Sequence, residues 1–215
     1  MRSVVVAHGD VKAQDRELAL TAELVIAADG GALALERWSI LPHLVVGDLD
    51  SLGTDRAAEL GRRGAKVIGF PAAKDESDLE LALRYALESG ADDIVLLGIF
   101  GGARLDHALA NAMLLADPAY RARGVRAVYG ATEVRALHPN ESFPLAGPIG
   151  ATVTLLPVRG DAGGVRTQGL RYPLSGETLY FGRSRGLSNV VSSLPASVSL
   201  DQGVLLVIED RQETA

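Results

Sequence analysis

Through about residue 130 the chain alternates short β-branched apolar runs with longer segments whose apolar positions recur every three to four residues. That rhythm predicts strands and helices taking turns along the chain. The strand candidates are SVVVA at 3–7, LVIAA at 24–28, LVVG at 44–47, KVIGF at 66–70, DIVLLGI at 93–99 and VRAVYG at 125–130. Helical periodicity occupies 12–22, 30–38, 54–63, 78–89 and 106–116. Local signals agree with these bounds: Thr54 reads as an N-cap, Gly64 and Gly90 as stops, and Ser77 with Glu80 as a capping box. The expected fold class is α/β, a parallel Rossmann-like sheet with flanking helices.

From about residue 133 the helical period gives way to short alternating segments between turn residues: VRAL, ATVTLLPV, GVRTQGLRYPL, ETLYFG, ASVSL and GVLLVIED. Strands at that spacing predict a small antiparallel β-sandwich or barrel. The boundary is expected near residues 131–133, giving domains 1–131 and 132–215. The terminal RQETA reads as a frayed end.

Composition narrows the function classes. With 215 residues and 47% apolar content there is ample material for a packed core. A formal net charge of −6, with no basic stripe, argues against nucleic acid as a partner. The chain has no cysteine, which removes disulfides and thiolate metal sites and fits a reducing cytoplasm. Nowhere do about 18 uncharged apolar residues run together, so no membrane segment is expected. The expectation is a soluble, cytoplasmic protein.

Chemistry concentrates where the first-half strands end. VVGDLDS at 45–51 delivers Asp48 and Asp50 into a loop just after an apolar run. Two carboxylates so placed repel each other unless a cation or hydrogen bonds compensate, and they suit a hard cation such as Mg²⁺. Asp29, Gly30 and Gly31 follow the second strand, Lys74, Asp75 and Asp78 the fourth, and Gly101, Gly102, Arg104 and Asp106 the fifth. In an open parallel sheet ligands bind beyond the carboxyl ends of the strands, so four loops point to one pocket. Glycine turns, Arg and Lys beside Mg²⁺-binding carboxylates indicate phosphate handling, without a P-loop. Plainer readings exist: Asp106 as a helix N-cap, Asp78 as a partner of a helix dipole, the Asp29 turn as a strand-to-helix connection.

In order and spacing, AADGGA, VVGDLDS, KDESDLELAL, GGARLDHALAN and SRGLSN resemble the thiamine pyrophosphokinase (thiamine diphosphokinase) family over nearly the whole chain. The resemblance implies an α/β domain, residues 1–131, that binds ATP and Mg²⁺, and a β-sandwich, residues 132–215, that binds thiamine. It also implies a homodimer with the active site at the subunit interface, thiamine lying between the α/β domain of one subunit and the sandwich of the other. The implied reaction is ATP + thiamine giving AMP + thiamine diphosphate, with the substrate hydroxyl attacking the β-phosphorus. Asp48, Asp50, Asp78 and Asp106 would then be catalytic and metal-binding. Asp29, Gly30, Gly31, Lys74, Asp75, Gly101, Gly102 and Arg104 would bind ATP, and Arg185, Ser188 and Asn189 thiamine. On composition alone SRGLSN reads as a hairpin turn, and the family resemblance reverses that reading.

Two departures from the family pattern stand out: Ala103 separates Gly102 from Arg104, and Ser77 stands where threonine is frequent. Neither removes a carboxylate. Three rival readings remain. Asp48-Leu49-Asp50-Ser51 also resembles the nucleophile loop of haloacid-dehalogenase-like phosphatases, although that loop normally follows the first strand and this one follows the third. A pyrophosphokinase acting on another heterocyclic alcohol, such as a pterin, and a non-catalytic thiamine or nucleotide sensor are the others.

Overall fold

The computed structural model describes residues 1–212, so Glu213 to Ala215, the end of the segment expected to fray, lie outside the described residues. The chain forms two compact units, Met1–Leu114 with Ala122–Gly130, and Leu115–Arg121 with the chain from Ala131 onward.

In the first unit the strands are β1 (Arg2–Val6), β2 (Leu24–Ala28), β3 (Leu44–Gly47), β4 (Lys66–Gly69), β5 (Asp93–Leu97) and β6 (Val125–Tyr129). They lie in the order β6-β5-β1-β2-β3-β4, each neighbouring pair parallel. Val4 sits level with Val25 on one side and Val95 on the other, and Val4, Val5 and Val6 are fully buried. Runs without polar alternation are what a sheet covered on both faces requires. Because β1 pairs with both β2 and β5, the strand order reverses there, and the loops after β1 and β5 diverge to open a crevice.

Five α-helices belong to this unit: α1 (Arg16–Leu20), α2 (Gly31–Arg37), α3 (Thr54–Arg62), α4 (Asp78–Glu88) and α5 (Leu105–Leu114). The segment expected as one helix over 12–22 begins as a 3₁₀ turn at Ala13–Asp15. Thr54 is the first helical residue rather than the cap. That place belongs to Gly53, whose φ of +85° suits glycine. Ser77 does cap α4: its hydroxyl accepts from the Glu80 N–H at 3.2 Å, and Glu80 Oε2 accepts from the Ser77 N–H at 2.8 Å. Helix α4 packs over β1, β2 and β3, burying Leu79, Leu81, Ala82, Leu83 and Ala86. Each fully buried leucine contributes about 1.5–3 kcal/mol by leaving water.

The second unit holds β7 (Thr132–Leu137), β8 (Glu141–Leu145), β9 (Thr152–Pro157), β10 (Ala162–Gln168), β11 (Ser175–Leu179), β12 (Asn189–Val190), β13 (Ala196–Leu200) and β14 (Leu205–Asp210). Antiparallel pairing arranges them as β12-β9-β14-β7 and β11-β10-β13-β8. Both sheets feed one apolar core, with Val153, Leu155 and Val207 from the first and Val165, Leu179 and Val198 from the second. This is the expected β-sandwich, and the α/β fold class holds for the first unit. The expected strand over 164–174 is shorter: β10 stops at Gln168, and Gly169, with φ +72°, turns the chain where a side chain would collide with the Ser193 carbonyl.

Candidate active site

The site begins at the end of β2. Asp29 is 4% exposed and adopts a left-handed φ of 41°, which turns its carboxylate toward the next loop. There it accepts backbone N–H groups of Ser51 at 3.1 Å and Leu52 at 3.3 Å, fixing the loop that carries Asp48 and Asp50. Asp48 Oδ1 accepts from the Asp50 N–H at 3.2 Å, and the Ser51 hydroxyl donates to Asp50 Oδ1 at 3.0 Å. As a result Asp29, Asp48 and Asp50 each place a carboxylate oxygen within 4.8 Å of the others.

Gly47 makes the approach possible. With φ +152°, a β-carbon there would lie 2.8 Å from the Asp29 Cβ and 3.0 Å from the Asp78 Cγ. Asp78, opening α4, therefore stands behind the same loop. Its Oδ1 is buried without a well-aligned hydrogen-bond donor and lies 3.1 Å from Lys74 Nζ, which is also 3.5 Å from Asp48 Oδ2. One ammonium thus serves two of four neighbouring carboxylates.

The electrostatics follow from that imbalance. Burial raises the Asp78 carboxyl above its usual value, Lys74 opposes the rise, and Asp48 and Asp29 reinforce it. The Ser51 hydroxyl leads the effects that hold Asp50 below its usual value. Burial pulls Lys74 down, but Asp78 and Asp48 outweigh it and leave the ammonium raised. An all-oxygen donor set with surplus negative charge and a poorly partnered buried carboxylate oxygen fits a hard divalent cation.

Other expected residues sit differently. Asp75 is exposed in the same loop as Lys74. Gly30 and Gly31 continue the Asp29 turn, and a side chain at Gly31 would strike the Val6 carbonyl. After β5, Gly101 turns with φ +72° beside Asp10. Asp106 is the second residue of α5 and grips Arg104 through two bonds, 2.9 and 2.6 Å, with both side chains exposed. Arg104 holds the Asp106 carboxyl far below the carboxylate range, and Asp50 acts on Arg104 as well. At the opposite end of the strands Asp93 pairs with Arg2 and Arg126, and Asp92 with the amino terminus, far from any nucleophile loop.

In the second unit Asn189 is buried and its amide is spent internally. It accepts from the Tyr172 N–H at 3.0 Å and donates to the Tyr172 carbonyl at 2.7 Å. Ser188, with φ +57°, is exposed, its N–H donating to Thr154 Oγ1 at 3.0 Å, and Arg185 is exposed 3.8 Å from Glu177.

A pocket of about 330 Å³ lies alongside the acidic loops, lined by the chain after β1, by Gly30, Leu33 and Arg37 of the α2 segment, and by Tyr129. Apart from Gly30, none of its residues stood out in the sequence, because they come from three elements and form no motif. The nearest signal was the HGD phrase after β1, where a side chain at Gly9 would strike the Phe100 carbonyl.

Two family models match the chain. One, described as thiamin pyrophosphokinase, catalytic domain, matches residues 16–128, and the other, thiamin pyrophosphokinase, vitamin B1 binding domain, matches 140–205. Among curated relatives, thiamine pyrophosphokinase of Bacillus subtilis (strain 168) is 28% identical over 185 residues, 86% of either chain. Thiamine pyrophosphokinase 2 of Oryza sativa subsp. japonica is 26% identical over 219 residues, covering 90% of this chain and 80% of its own. The crystal structure of the Bacillus subtilis thiamine pyrophosphokinase superposes with a TM-score of 0.85 at 25% identity, covering 99% of this chain and all of its own.

Proposed function

The chain belongs to the thiamin pyrophosphokinase family, and from that premise we propose that the acidic loops of its first unit hold the polyphosphate of ATP while the second unit receives thiamine. The activity is transfer of diphosphate from ATP to the hydroxyl of thiamine, a kinase reaction of thiamine diphosphate biosynthesis. In the implied step the hydroxyl oxygen bonds to the β-phosphorus. The bond from that phosphorus to the oxygen bridging the α-phosphorus breaks, and AMP leaves with the bridging oxygen and its electron pair.

The observation that carries the residue assignment is the convergence of Asp29, Asp48 and Asp50 within 4.8 Å, with Asp78 and Lys74 behind them. Asp48, Asp50 and Asp78, assisted by Asp29, would hold Mg²⁺, which when bound neutralises the polyphosphate and draws electron density from the β-phosphorus. Lys74 offsets part of the repulsion among the four carboxylates through Asp48 and Asp78, and Asp29 fixes the loop through Ser51 and Leu52. Arg104, tied to Asp106 here, turns to the phosphates when they arrive, leaving Asp106 to complete the acidic rim. The hydroxyl proton passes to a loop carboxylate. Such transfer rests chiefly on positioning and charge stabilisation.

For thiamine, the exposed Ser188 hydroxyl and the Arg185 side chain are the available contacts of SRGLSN, with Asn189 shaping the turn beneath them. The thiazolium cation is drawn to the acidic rim. Leu105, Leu109 and Met113, 72%, 57% and 45% exposed, form one stripe on α5, whose residues are all unburied. That stripe supports a homodimer with the active site at the subunit interface. Among the described residues no helix is long and apolar enough to cross a membrane. A cytoplasmic location is part of the same reading.

The test is AMP release from ATP with Mg²⁺, in the presence and absence of thiamine. Release that requires thiamine supports the assignment; thiamine-independent phosphate release would favour a phosphatase, and saturable binding without AMP a sensor.

A further inference from the structure

The chain leaves the first unit and returns to it between α5 and β6. Leu115–Arg121 belongs to the second unit, although the residues on either side, up to Leu114 and from Ala122, belong to the first. Helix α5 runs directly into this strap, and none of the residues of α5 is buried. A helix with no buried face draws little hold from packing, so the fixing of its ends decides its order. Within α5, Asn111 Nδ2 donates to the Ile99 carbonyl at 3.3 Å, and beyond the last turn the strap takes over.

A single carboxylate ties the end of the strap to the sandwich. Leu115 and Ala116 are buried, and Asp117 caps a 3₁₀ turn at Pro118–Tyr120 by accepting the Ala119 N–H at 2.8 Å. The Arg121 guanidinium then donates to Glu141 Oε1 at 2.6 Å and to the Pro139 carbonyl at 2.7 Å, while Glu141 Oε2 accepts the His138 N–H at 2.9 Å. Both oxygens of Glu141 are engaged, and His138, 4% exposed, belongs to the same turn. The charged groups facing its ring are Arg121 and Asp117 from the strap, Glu141 from β8 and Arg159 from the loop after β9. A neutral imidazole fits among them. A protonated one would be a buried cation beside two guanidiniums, and Glu141, the carboxylate that acts on it most strongly, is already committed to Arg121.

We propose that Leu115–Arg121 is a pH-sensitive strap: proton uptake by His138 draws Glu141 away from Arg121, the strap loosens from the sandwich, and α5 loses the anchor at its C-terminal end. The strap is closed at neutral pH and opens on acidification. Burial keeps the His138 pKa below its usual value, with Arg121 and Arg159 acting the same way and Glu141 and Asp117 opposing, so opening begins below about 6.5. Asp106 lies in the first turn of α5, so on the activity proposed above a slack α5 also slackens the acidic rim. Arg121 and Glu141 are positioning residues, acting through the strap.

The experiment is hydrogen–deuterium exchange of the full chain, read by mass spectrometry at about pH 7.5 and about pH 5.5 with labelling times scaled for the intrinsic rate, for wild type, His138→Gln and Arg121→Gln. In wild type, protection of the strap and of α5 is expected to fall at least about fivefold on acidification, whereas β10 and β13 keep theirs. His138→Gln should keep the strap protected at both values, and Arg121→Gln, whose side chain is exposed, should leave it open at both. Strap protection that does not change with pH in wild type overturns the switch, and so does an undiminished loss in His138→Gln. Should that buried substitution fail to fold, a pH-dependent loss in Arg121→Gln as large as in wild type overturns the switch by itself. Opening of the strap without any change in α5 overturns the link between them. Exchange is read without ATP or thiamine, so its outcome stands apart from that of the AMP-release assay.

Discussion

Lys74, in the loop before α4, and Asp78, its first residue, stand four positions apart, and the Lys74 ammonium, 3.1 Å from Asp78 Oδ1, also reaches to 3.5 Å from Asp48 Oδ2. A single protein cation therefore links the loop after β3 to the start of α4. It offsets only part of the charge of Asp29, Asp48, Asp50 and Asp78, and the remainder is what a divalent ion would compensate.

Lys74→Met removes that internal counter-charge. The variant is expected to melt below wild type in metal-free buffer and to gain more from added Mg²⁺ than wild type does, because a ligand that binds only the folded state stabilises it in proportion to its affinity. Differential scanning calorimetry with and without Mg²⁺ checks this. An equal Mg²⁺ gain in the two proteins would show that Lys74 and the ion do not share the carboxylates.

Gly47→Ala places a β-carbon 2.8 Å from the Asp29 Cβ at φ +152°. Either the backbone shifts or Asp29 and Asp78 move apart, at a cost of about 1–3 kcal/mol. Denaturant unfolding should show that loss, and turnover should fall with it. A variant as stable and active as wild type would mean that the site tolerates a looser packing of the two carboxylates.

How far the site could be read from residues alone differs from one part to the next. Strands β2 and β3 were legible with their bounds because LVIAA and LVVG are buried almost throughout and end in turn residues. Strand β8 was not, because Pro144 interrupts its apolar pattern. It pairs only with β13, at the sheet edge where proline is tolerated. Asp48 and Asp50 announce themselves by local spacing, whereas the burial of Asp29 and its bonds to Ser51 and Leu52 are long-range and leave no local mark. Ala103 does not keep Arg104 from Asp106: the pair meets two residues apart. Lys12, Arg37 and Tyr129 meet only in the folded chain.

Ser188 and Asn189 are neighbours with different duties. Ser188→Ala should raise the thiamine KM several-fold, the loss of a hydrogen bond of about 1 kcal/mol, with the ATP KM unmoved. Asn189→Ala strips three bonds to the Tyr172 and Val190 backbone and should chiefly lower the melting temperature. Steady-state kinetics beside thermal melts separates the two. A Ser188 variant with unchanged thiamine KM would return that residue to the turn.

His138 sets a pH dependence within the second unit. Burial lowers its pKa below the usual histidine value, Arg121 and Arg159 push the same way, and Glu141 and Asp117 oppose them. A folded value below the unfolded one means that the unfolded chain binds the proton more readily. Stability is therefore complete above the unfolded value of about 6.5 and declines as pH falls through the folded one. His138→Gln should flatten that decline in melts between about pH 7 and pH 5. A parallel decline in the two proteins would assign it elsewhere.

The most direct measurement is AMP release from ATP, thiamine and Mg²⁺ by Asp48→Asn and Asp50→Asn beside wild type, with circular dichroism to verify the fold. Each variant should keep the wild-type spectrum and lose at least about a hundredfold in turnover, the scale for removing a key charge-stabilising group. Wild-type turnover in both folded variants would contradict a shared cation and polyphosphate site at these loops.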